Sequence, residues 1–171
     1  SPRSGGCEPD IAEMKLCVMG AGAWGTALAV AYSADHDVTL WTRDADHALS
    51  LHSSHCNERY LPGIALPPGI AVSSDAARAL DGCDLALIAT PIAGLRAALE
   101  AVARSGAPAV LWACKGFESG SGLLPHQVAL DILPAQVSRG AFSGPSFAIE
   151  VARGLPTAIT VASDDIEFVS A

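Results

Sequence analysis

Gly20-Ala21-Gly22-Ala23-Trp24-Gly25 is a G-x-G-x-x-G motif that follows the apolar run at residues 15–19 and precedes good helix formers at residues 26–31. A strand, a glycine-rich turn and a helix in this order predict the phosphate-binding start of a nucleotide-binding βαβ unit. Gly20 permits the tight turn, Gly22 lets the backbone approach a pyrophosphate, and Gly25 lets the helix lie against the strand. The N–H groups of the first helical turn are then expected to face the anion.

The rest of the chain continues this alternation of short apolar runs and longer amphipathic segments. Apolar runs that predict strands lie at residues 15–19, 37–41, 70–73, 85–89, 109–114, 140–143 and 157–162. Helical spacing of apolar residues occurs at residues 24–33, 75–80, 93–105, 123–132 and 147–153. The alternation predicts an α/β fold with a doubly wound, mostly parallel, Rossmann-like sheet. Residues 85–89 are apolar at every position, which is typical of a central strand that is buried on both faces.

The sequence divides into three parts. Residues 1–13 are rich in Ser, Gly and Pro, so we expect a disordered extension ahead of the fold. Residues 14–164 contain the strand–helix alternation and form the predicted dinucleotide-binding domain. Residues 165–171 begin a new helical pattern, so we expect them to start the connection to a C-terminal helical domain that this chain lacks. Within the domain, the Pro- and Gly-rich residues 61–69 predict a long surface connection.

Charge and hydropathy exclude several classes of partner. The 171 residues include 18 Asp and Glu against 10 Lys and Arg, which gives a formal charge of -8. This surplus of negative charge disfavours binding to nucleic acid and to an anionic membrane. No apolar run reaches the roughly 18 residues that a spanning helix needs, and residues 1–13 lack the apolar core of a signal peptide. These features predict a cytoplasmic protein of about one domain.

Arg43 follows the second predicted strand, where a dinucleotide site usually has an acidic residue for the adenosine ribose. The segment reads Leu40-Trp41-Thr42-Arg43-Asp44, so a guanidinium precedes the first carboxylate. We therefore expect Arg43 to bind a 2′-phosphate, so that NADPH is accepted, while a preference for NADPH over NADH is left open. The alternative is a surface ion pair of Arg43 with Asp44 or Asp46.

Three further turns follow predicted strands at the edge where open α/β sheets bind ligands. Pro91, after Thr90, is expected on the nicotinamide side of the cofactor, with a plain turn as an equal alternative. Lys115 leaves an apolar strand beside Gly116 and is well placed for an anionic substrate, with an ordinary surface lysine as the alternative. Ser146 is expected to cap the helix that follows the strand at residues 140–143 and to offer its hydroxyl to a ligand.

The cysteines and histidines form no recognisable disulfide or metal pattern. The five cysteines include no C-x-x-C pair and mostly lie in apolar runs, so buried, reduced thiols are predicted. His52, His55 and Cys56 lie close together, but they lack a carboxylate or second cysteine at a familiar metal-binding spacing. A solvated helix face is the preferred interpretation of this segment, and no metal is expected.

Five motifs taken together carry a family resemblance. They are G-A-G-A-W-G-T-A-L-A at residues 20–29, L-W-T-R-D at 40–44, N-x-x-Y-L-P-G at 57–63, C-K-G-F-E at 114–118 and S-G-P-S-F-A-x-E-V-A-x-G-x-P-T-A at 143–158. In this order and spacing the chain resembles bacterial NAD(P)-dependent glycerol-3-phosphate dehydrogenases from Met14 almost to its end. The resemblance implies reversible hydride transfer between NAD(P)H and dihydroxyacetone phosphate, which gives sn-glycerol 3-phosphate for phospholipid synthesis.

The resemblance also implies roles for individual residues. It predicts contacts to the dinucleotide from Ala23, Trp24, Arg43 and Ala148, to the substrate from Gly144 and Ser146, and to both from Lys115. Similar enzymes place the general acid/base lysine and most phosphate-binding groups in a C-terminal helical domain, so that domain is the expected partner and this chain alone should be inactive. The alternatives are a related two-domain dehydrogenase with another substrate and a module that binds NAD(P) without chemistry. The oligomeric state is left open, a homodimer included.

Overall fold

The computed structural model describes residues 12–170 of the chain. Its strands are β1 (Lys15–Met19), β2 (Asp37–Trp41), β3 (Cys56–Asn57), β4 (Leu61–Ala65), β5 (Ala71–Ser73), β6 (Leu85–Ile88), β7 (Ala109–Trp112), β8 (Ser138–Ser143) and β9 (Thr160–Ala162). Its helices are α1 (Ala23–Tyr32), α2 (Ala45–Ser54), α3 (Ala76–Ala79), α4 (Ile92–Ser105), α5 (Pro125–Ile132), α6 (Ala148–Ala152) and α7 (Ile166–Ser170). Seven strands form one sheet in the order β5-β2-β1-β6-β7-β8-β9, and β3 pairs with β4 in a separate two-stranded sheet.

The strand order confirms the predicted doubly wound fold. β1 pairs in parallel with β2 on one side and with β6 on the other. β7 and β8 extend the parallel order beyond β6, whereas β5 extends it beyond β2. The chain thus moves outward in one direction from β1 and later in the opposite direction, which opens a crevice at the carboxyl ends of β1 and β6.

Helices cover both faces of the sheet, so alternate residues of β1 are buried in two different apolar layers. Cys17 and Met19 belong to the layer that contains α4 and α5. Leu16 and Val18 belong to the layer that contains α1 and residues of α2. All four side chains are buried because successive residues of a strand point to opposite faces.

The segment after β2 differs from the prediction because it forms a helix that the apolar spacing did not reveal. Asp44 is the N-cap residue of α2, and its Oδ1 accepts hydrogen bonds from the backbone N–H groups of Asp46 and His47, each at 3.1 Å. Only Ala48 and Leu51 of α2 are buried, so the apolar stripe is too narrow to give a clear helical pattern. The predicted solvated helix face is found at His52, which is exposed.

The predicted surface connection at residues 61–69 is wrong in its first half. β4 pairs antiparallel with β3 to form a hairpin, and both Leu61 and Leu66 are buried in apolar clusters. The Pro and Gly residues suggested a loop, but tertiary packing of the two leucines fixes the segment. The last predicted strand is also shorter than residues 157–162, and β9 pairs antiparallel with β8.

The cysteines are unpaired wherever the structure describes them. Cys17 and Cys83 are buried, whereas Cys56 and Cys114 are partly exposed. Burial raises the pKa of the Cys114 thiol to about 11. The predicted extension, residues 1–13, lies outside the described residues except for its last two, and so does Cys7. Within residues 12–170, no helix is both long enough and apolar enough to cross a membrane.

Candidate dinucleotide-binding site

The turn between β1 and α1 needs glycine for two distinct reasons. Gly20 has a φ of 121°, which L side chains rarely adopt, and its N–H donates to the carbonyl oxygen of Trp41 at 2.8 Å. A Cβ atom on Gly25 would overlap the carbonyl oxygen of Gly20, so α1 lies on the turn only because this position lacks a side chain. These contacts give Gly20 and Gly25 the structural roles that the motif predicts.

Gly22 faces open space instead of protein. A Cβ atom placed on it would meet no atom within 4 Å. Gly22 is also the N-cap residue of α1, and no side chain forms a capping hydrogen bond there. No side chain therefore covers the N–H groups of the first helical turn, which leaves them free to bind an anion such as a pyrophosphate.

Asn57 holds this turn in place from the hairpin formed by β3 and β4. Its side chain is buried, and its Nδ2 donates to the carbonyl oxygen of Ala21 at 3.0 Å and to Thr26 Oγ1 at 2.7 Å. Its Oδ1 lies 3.2 Å from His47 Nε2, and because an amide oxygen only accepts, His47 Nε2 carries the hydrogen. One side chain thus joins the glycine-rich turn, α1 and α2.

A cavity of about 660 Å³ lies between the turn, the end of β2 and α4. Gly20, Gly22 and Arg43 line it, together with Arg59 from the hairpin. Arg43 is exposed and has no ion pair within the described part of the chain. Asp44 lies 3.6 Å from Arg59 instead, so the alternative in which Arg43 pairs with Asp44 or Asp46 is not found. The cavity volume is in the range of small-molecule and cofactor sites.

Thr90 and Pro91 line the same cavity at the end of β6. Thr90 Oγ1 is buried and has no hydrogen-bond partner among the described residues. A Cβ atom on Gly94 would come within 3.1 Å of the Thr90 side chain, so glycine lets α4 begin close to the strand end. Buried hydroxyls are usually paired, and this one leaves a polar group without a partner among the apolar residues Ala89, Ala93 and Ala97 of the same wall. The placement of Pro91 beside the nicotinamide stays a prediction.

Lys115 is exposed in the loop that follows β7, and its ammonium group has no hydrogen bond or ion pair with any described residue. The loop itself is braced by Arg96 of α4. Arg96 Nε and Nη2 donate to the two carboxylate oxygens of Glu118 at 2.8 and 2.9 Å, and Nη1 donates to Asp131 at 2.8 Å. The Arg96 guanidinium, aided by the Ser121 hydroxyl, lowers the pKa of Glu118 to about 2. Lys115 is therefore a cation without a protein partner on a fixed loop.

Gly144 and Ser146 follow β8, which pairs in parallel with β7, so their loop and that of Lys115 lie at the same edge of the sheet. Gly144 packs against the backbone of Ala158, whose carbonyl oxygen a Cβ atom would overlap. The prediction that Ser146 caps the next helix is wrong, because Phe147 is the N-cap residue of α6. Ser146 Oγ lies 3.5 Å from the Ala158 carbonyl oxygen, a long contact that holds the hydroxyl weakly.

Ala23, Trp24 and Ala148 meet in an apolar cluster and do not line the cavity. The Trp24 ring also stacks on Phe142 of β8, with ring centroids 6.5 Å apart. Through these contacts α1 packs against α6, and Leu61 of the hairpin joins the same cluster. The backbone of Ala23 and Trp24 nevertheless belongs to the first turn of α1, next to Gly22.

Seven of the eleven predicted site residues therefore fall into two groups along one edge of the sheet, and the other four, Ala23, Trp24, Gly25 and Ala148, do not line the cavity. The cavity group contains Gly20, Gly22, Arg43 and Pro91, and the second group, after β7 and β8, contains Lys115, Gly144 and Ser146. Sequence reasoning gave no individual role to Asn57 or Arg59, and it considered Thr90 only as part of the turn with Pro91. The motif at residues 57–63 contained a signal for Asn57, because a polar residue close to an apolar residue such as Leu61 usually forms hydrogen bonds when the segment is buried.

His55 and Cys56, which lie near His52 in the sequence, end a helix and form a local hydrogen bond. His55 is the C-cap residue of α2 with a φ of 49°, and Cys56 Sγ donates to Glu58 Oε1 at 2.9 Å. No group of three or more His, Cys, Asp or Glu residues within residues 12–170 is arranged to hold a metal ion.

Comparison with known proteins gives a consistent result. The family model described as NAD-dependent glycerol-3-phosphate dehydrogenase N-terminus matches residues 15–169. A glycerol-3-phosphate dehydrogenase (NAD(P)+) of Thiobacillus denitrificans is 54% identical over 154 residues, which are 90% of this chain and 47% of that protein. The corresponding protein of Dechloromonas aromatica is 51% identical over 156 residues, or 91% of this chain and 47% of the relative.

Solved structures agree with the sequence relatives. The crystal structure of glycerol-3-phosphate dehydrogenase from Coxiella burnetii superposes with a TM-score of 0.83 at 32% identity, over 92% of this chain and 49% of that one. The chain thus spans about half the length of the relatives it matches. Because the family match extends over nearly all of the described residues, the chain belongs to the NAD-dependent glycerol-3-phosphate dehydrogenase family and corresponds to its N-terminal part.

Proposed function

We propose that the chain is the dinucleotide-binding part of an enzyme that transfers hydride between NAD(P)H and dihydroxyacetone phosphate. The product, sn-glycerol 3-phosphate, would serve phospholipid synthesis. The observation that carries the proposal is the family match over residues 15–169, because this range includes every residue of the candidate site. Two relatives that share more than half of the aligned residues bear the name glycerol-3-phosphate dehydrogenase (NAD(P)+).

The proposed cofactor is NAD(P)H, with NADPH accepted, and when bound it supplies the hydride. The bare backbone at Gly22 and the first-turn N–H groups of α1 bind its pyrophosphate. Arg43, which has no ion pair within the described residues, meets the 2′-phosphate at the cavity wall. Ala23, Trp24, Pro91 and Ala148 complete the proposed cofactor contacts.

The proposed substrate contacts are Lys115, Gly144 and Ser146. The Lys115 ammonium stabilises the negative charge that develops on the substrate oxygen as hydride arrives, and it also touches the cofactor. The weakly held hydroxyl of Ser146 and the backbone at Gly144 bind the substrate at the same sheet edge. The brace formed by Arg96 and Glu118 keeps the Lys115 loop in position.

A C-terminal helical domain is the proposed partner of this chain, because the relatives are about twice as long. That domain supplies the general acid/base lysine and most phosphate-binding groups. Phe117 and Phe147, 67% and 72% exposed, flank the substrate residues and give the domain an apolar surface on which to dock. The four cysteines within residues 12–170 are unpaired, which is typical of a reducing compartment and supports a cytoplasmic location. Sedimentation of the two-domain protein tests whether it forms a homodimer.

The proposal is tested on the 171-residue chain and on a chimera that joins it to the second half of the Thiobacillus denitrificans relative. Titration with NADPH, followed by nicotinamide fluorescence, should show binding to both proteins. Oxidation of NADPH by dihydroxyacetone phosphate should occur with the chimera only, because general acid catalysis typically contributes about 10² to 10⁴-fold. If neither protein binds NADPH, the cofactor assignment is contradicted. Appreciable turnover by the chain alone contradicts the division of the site between two domains.

A further inference from the structure

Arg59 is one of three arginines that line the cavity, with Arg43 and Arg104, and none of the motifs gave it a role. We propose that Arg59 determines cofactor specificity by binding the 2′-phosphate of NADPH together with Arg43, and that it leaves Asp44 when it does so. The inference rests on the proposed function and concerns only the adenosine end of the cofactor. Three features of the structure support it. The Asp44 carboxylate already caps a helix, its ion pair with Arg59 is weak, and this part of the cavity wall carries more positive than negative charge.

The carboxylate of Asp44 is already engaged through both oxygens. Its Oδ1 accepts from the N–H groups of Asp46 and His47 at the start of α2, and its Oδ2 lies 3.6 Å from Arg59 Nη1. In sites selective for NADH, a carboxylate near this point accepts hydrogen bonds from the ribose hydroxyls. One oxygen of Asp44 caps α2 and the other faces Arg59, so this carboxylate is only partly available to the ribose hydroxyls of NADH.

The pair between Arg59 and Asp44 is easily exchanged. Its distance of 3.6 Å exceeds hydrogen-bond length, and the side chains are 62% and 51% exposed. Such exposed pairs contribute little to stability. The guanidinium has independent support, because its Cζ lies 5.0 Å from the centre of the Tyr60 ring, over its face. The centroids of the Tyr60 and His47 rings are 5.4 Å apart, so the Tyr60 ring that supports Arg59 stays in place when Arg59 leaves Asp44.

The charges in this part of the wall favour a dianion. Arg43 and Arg59 are two cations against the single carboxylate of Asp44, although the chain as a whole carries a formal charge of -8. A phosphate monoester carries nearly two negative charges at neutral pH and accepts hydrogen bonds in the forked geometry that guanidinium groups offer. Two arginines that bind one phosphate together would make the site discriminate between NADPH and NADH.

Isothermal titration with two probes that differ only in the 2′-phosphate tests this inference. The probes are adenosine 2′,5′-bisphosphate and adenosine 5′-monophosphate, which report on the adenosine end without the nicotinamide. Arg59→Met should weaken binding of the bisphosphate by about tenfold or more and change binding of the monophosphate by less than about twofold. Asp44→Asn keeps the helix cap but frees Arg59, and should strengthen bisphosphate binding by about two- to fivefold.

Arg78→Met is the matched control, because it removes the same charge from an exposed residue of α3 that does not line the cavity. It should change binding of either probe by less than about twofold, since an exposed charge outside the cavity wall is largely screened by solvent and salt. If Arg59→Met loses equal affinity for both probes, the role of Arg59 is overturned. The same holds if Arg59→Met binds the bisphosphate normally while Arg43→Met binds it more weakly. Neither result affects the role of Arg43. If the unaltered chain binds NADPH and neither Arg59→Met nor Arg43→Met weakens bisphosphate binding, the inference fails while the proposed function stands. If it binds neither NADPH nor the probes, both fail.

Discussion

Alanine substitutions at Gly22 and Gly25 make the same chemical change three residues apart in one turn, and the structure predicts opposite consequences. At Gly25 the new methyl group overlaps the carbonyl oxygen of Gly20, which is backbone and cannot rotate away. Overpacking of this kind costs about 3 kcal/mol, and the better helix propensity of alanine returns about 1 kcal/mol. Gly25→Ala should therefore lower the free energy of unfolding by about 2 kcal/mol. For a chain of this size that is a fall in Tm of about 4–8 °C.

At Gly22 the folded state has room for the methyl group, and the φ of −76° suits any residue. Alanine caps a helix less well than glycine by about 0.5 kcal/mol, but it reduces the entropy of the unfolded chain by a similar amount. The free energy of unfolding of Gly22→Ala should thus stay within about 0.5 kcal/mol of the unaltered chain. The methyl group does occupy the space proposed for the pyrophosphate. Affinity for NADPH should fall by about 10- to 100-fold, the equivalent of 1.4–2.8 kcal/mol.

Urea unfolding and NADPH fluorescence titration on both variants measure the two effects separately. The reasoning requires that Gly25→Ala loses stability and that Gly22→Ala loses binding without losing stability. Unchanged NADPH affinity in a folded Gly22→Ala protein would refute the assignment of this bare backbone to the pyrophosphate. A Gly25→Ala protein as stable as the original would show that the contact between Gly20 and α1 relaxes freely.

The remaining predictions concern groups outside the turn. Asn57→Leu should lower the free energy of unfolding in urea by about 2–4 kcal/mol, because it leaves the Ala21 carbonyl and Thr26 hydroxyl without a buried donor; a loss under 1 kcal/mol would contradict this role. Lys115→Met in the chimera should reduce kcat/KM for dihydroxyacetone phosphate by about 10² to 10³-fold while NADPH binding changes less, and unchanged kcat/KM would remove Lys115 from the site. The low pKa of Glu118, about 2 against an ordinary 4.5, means that its pair with Arg96 adds stability above pH 4.5 and loses it as the pH falls towards 2. Unfolding measured from pH 5 to pH 2 should therefore show a steeper loss in the original chain than in Arg96→Met, and identical slopes would contradict it.

Local spacing was sufficient to predict the parallel sheet. β1 and β2 occupy the predicted residues, and β6 and β7 differ only at their ends, because each buried strand is a short apolar run bounded by polar residues. The glycine-rich turn was predictable from its local motif, because its three glycines lie within six residues of chain. The structure adds that Gly20 and Gly25 also pack against Ala89 at the end of β6, a contact that no local pattern shows. Sequence alone indicated Arg43 and Lys115 as well, since both directly follow strands whose carboxyl ends form one edge.

The hairpin could not be predicted this way because its stability comes from distant residues. Leu61 and Leu66 alternate with Pro and Gly in a segment that has turn composition, and only their burial against α1 and the sheet makes it a strand. The error at Ser146 has a similar origin. A serine before a helical pattern is a common cap, but here the chain packs against Ala158 and delays the start of α6 to Ala148.

The contacts through which the hairpin acts on the site span a long stretch of sequence. Asn57 reaches the glycine-rich turn over separations of 36 and 31 residues, whereas the motif itself is complete within six. A substitution at Arg59 should leave the G-x-G-x-x-G pattern, the sheet and the Asn57 contacts intact, yet it changes the charge of the cavity wall. If the proposed assignments hold, binding of the pyrophosphate and choice between NADPH and NADH depend on different parts of this fold. The first would depend on backbone geometry that admits little variation, and the second on two exposed side chains, Arg43 after β2 and Arg59 in the hairpin, which can vary at small cost to stability.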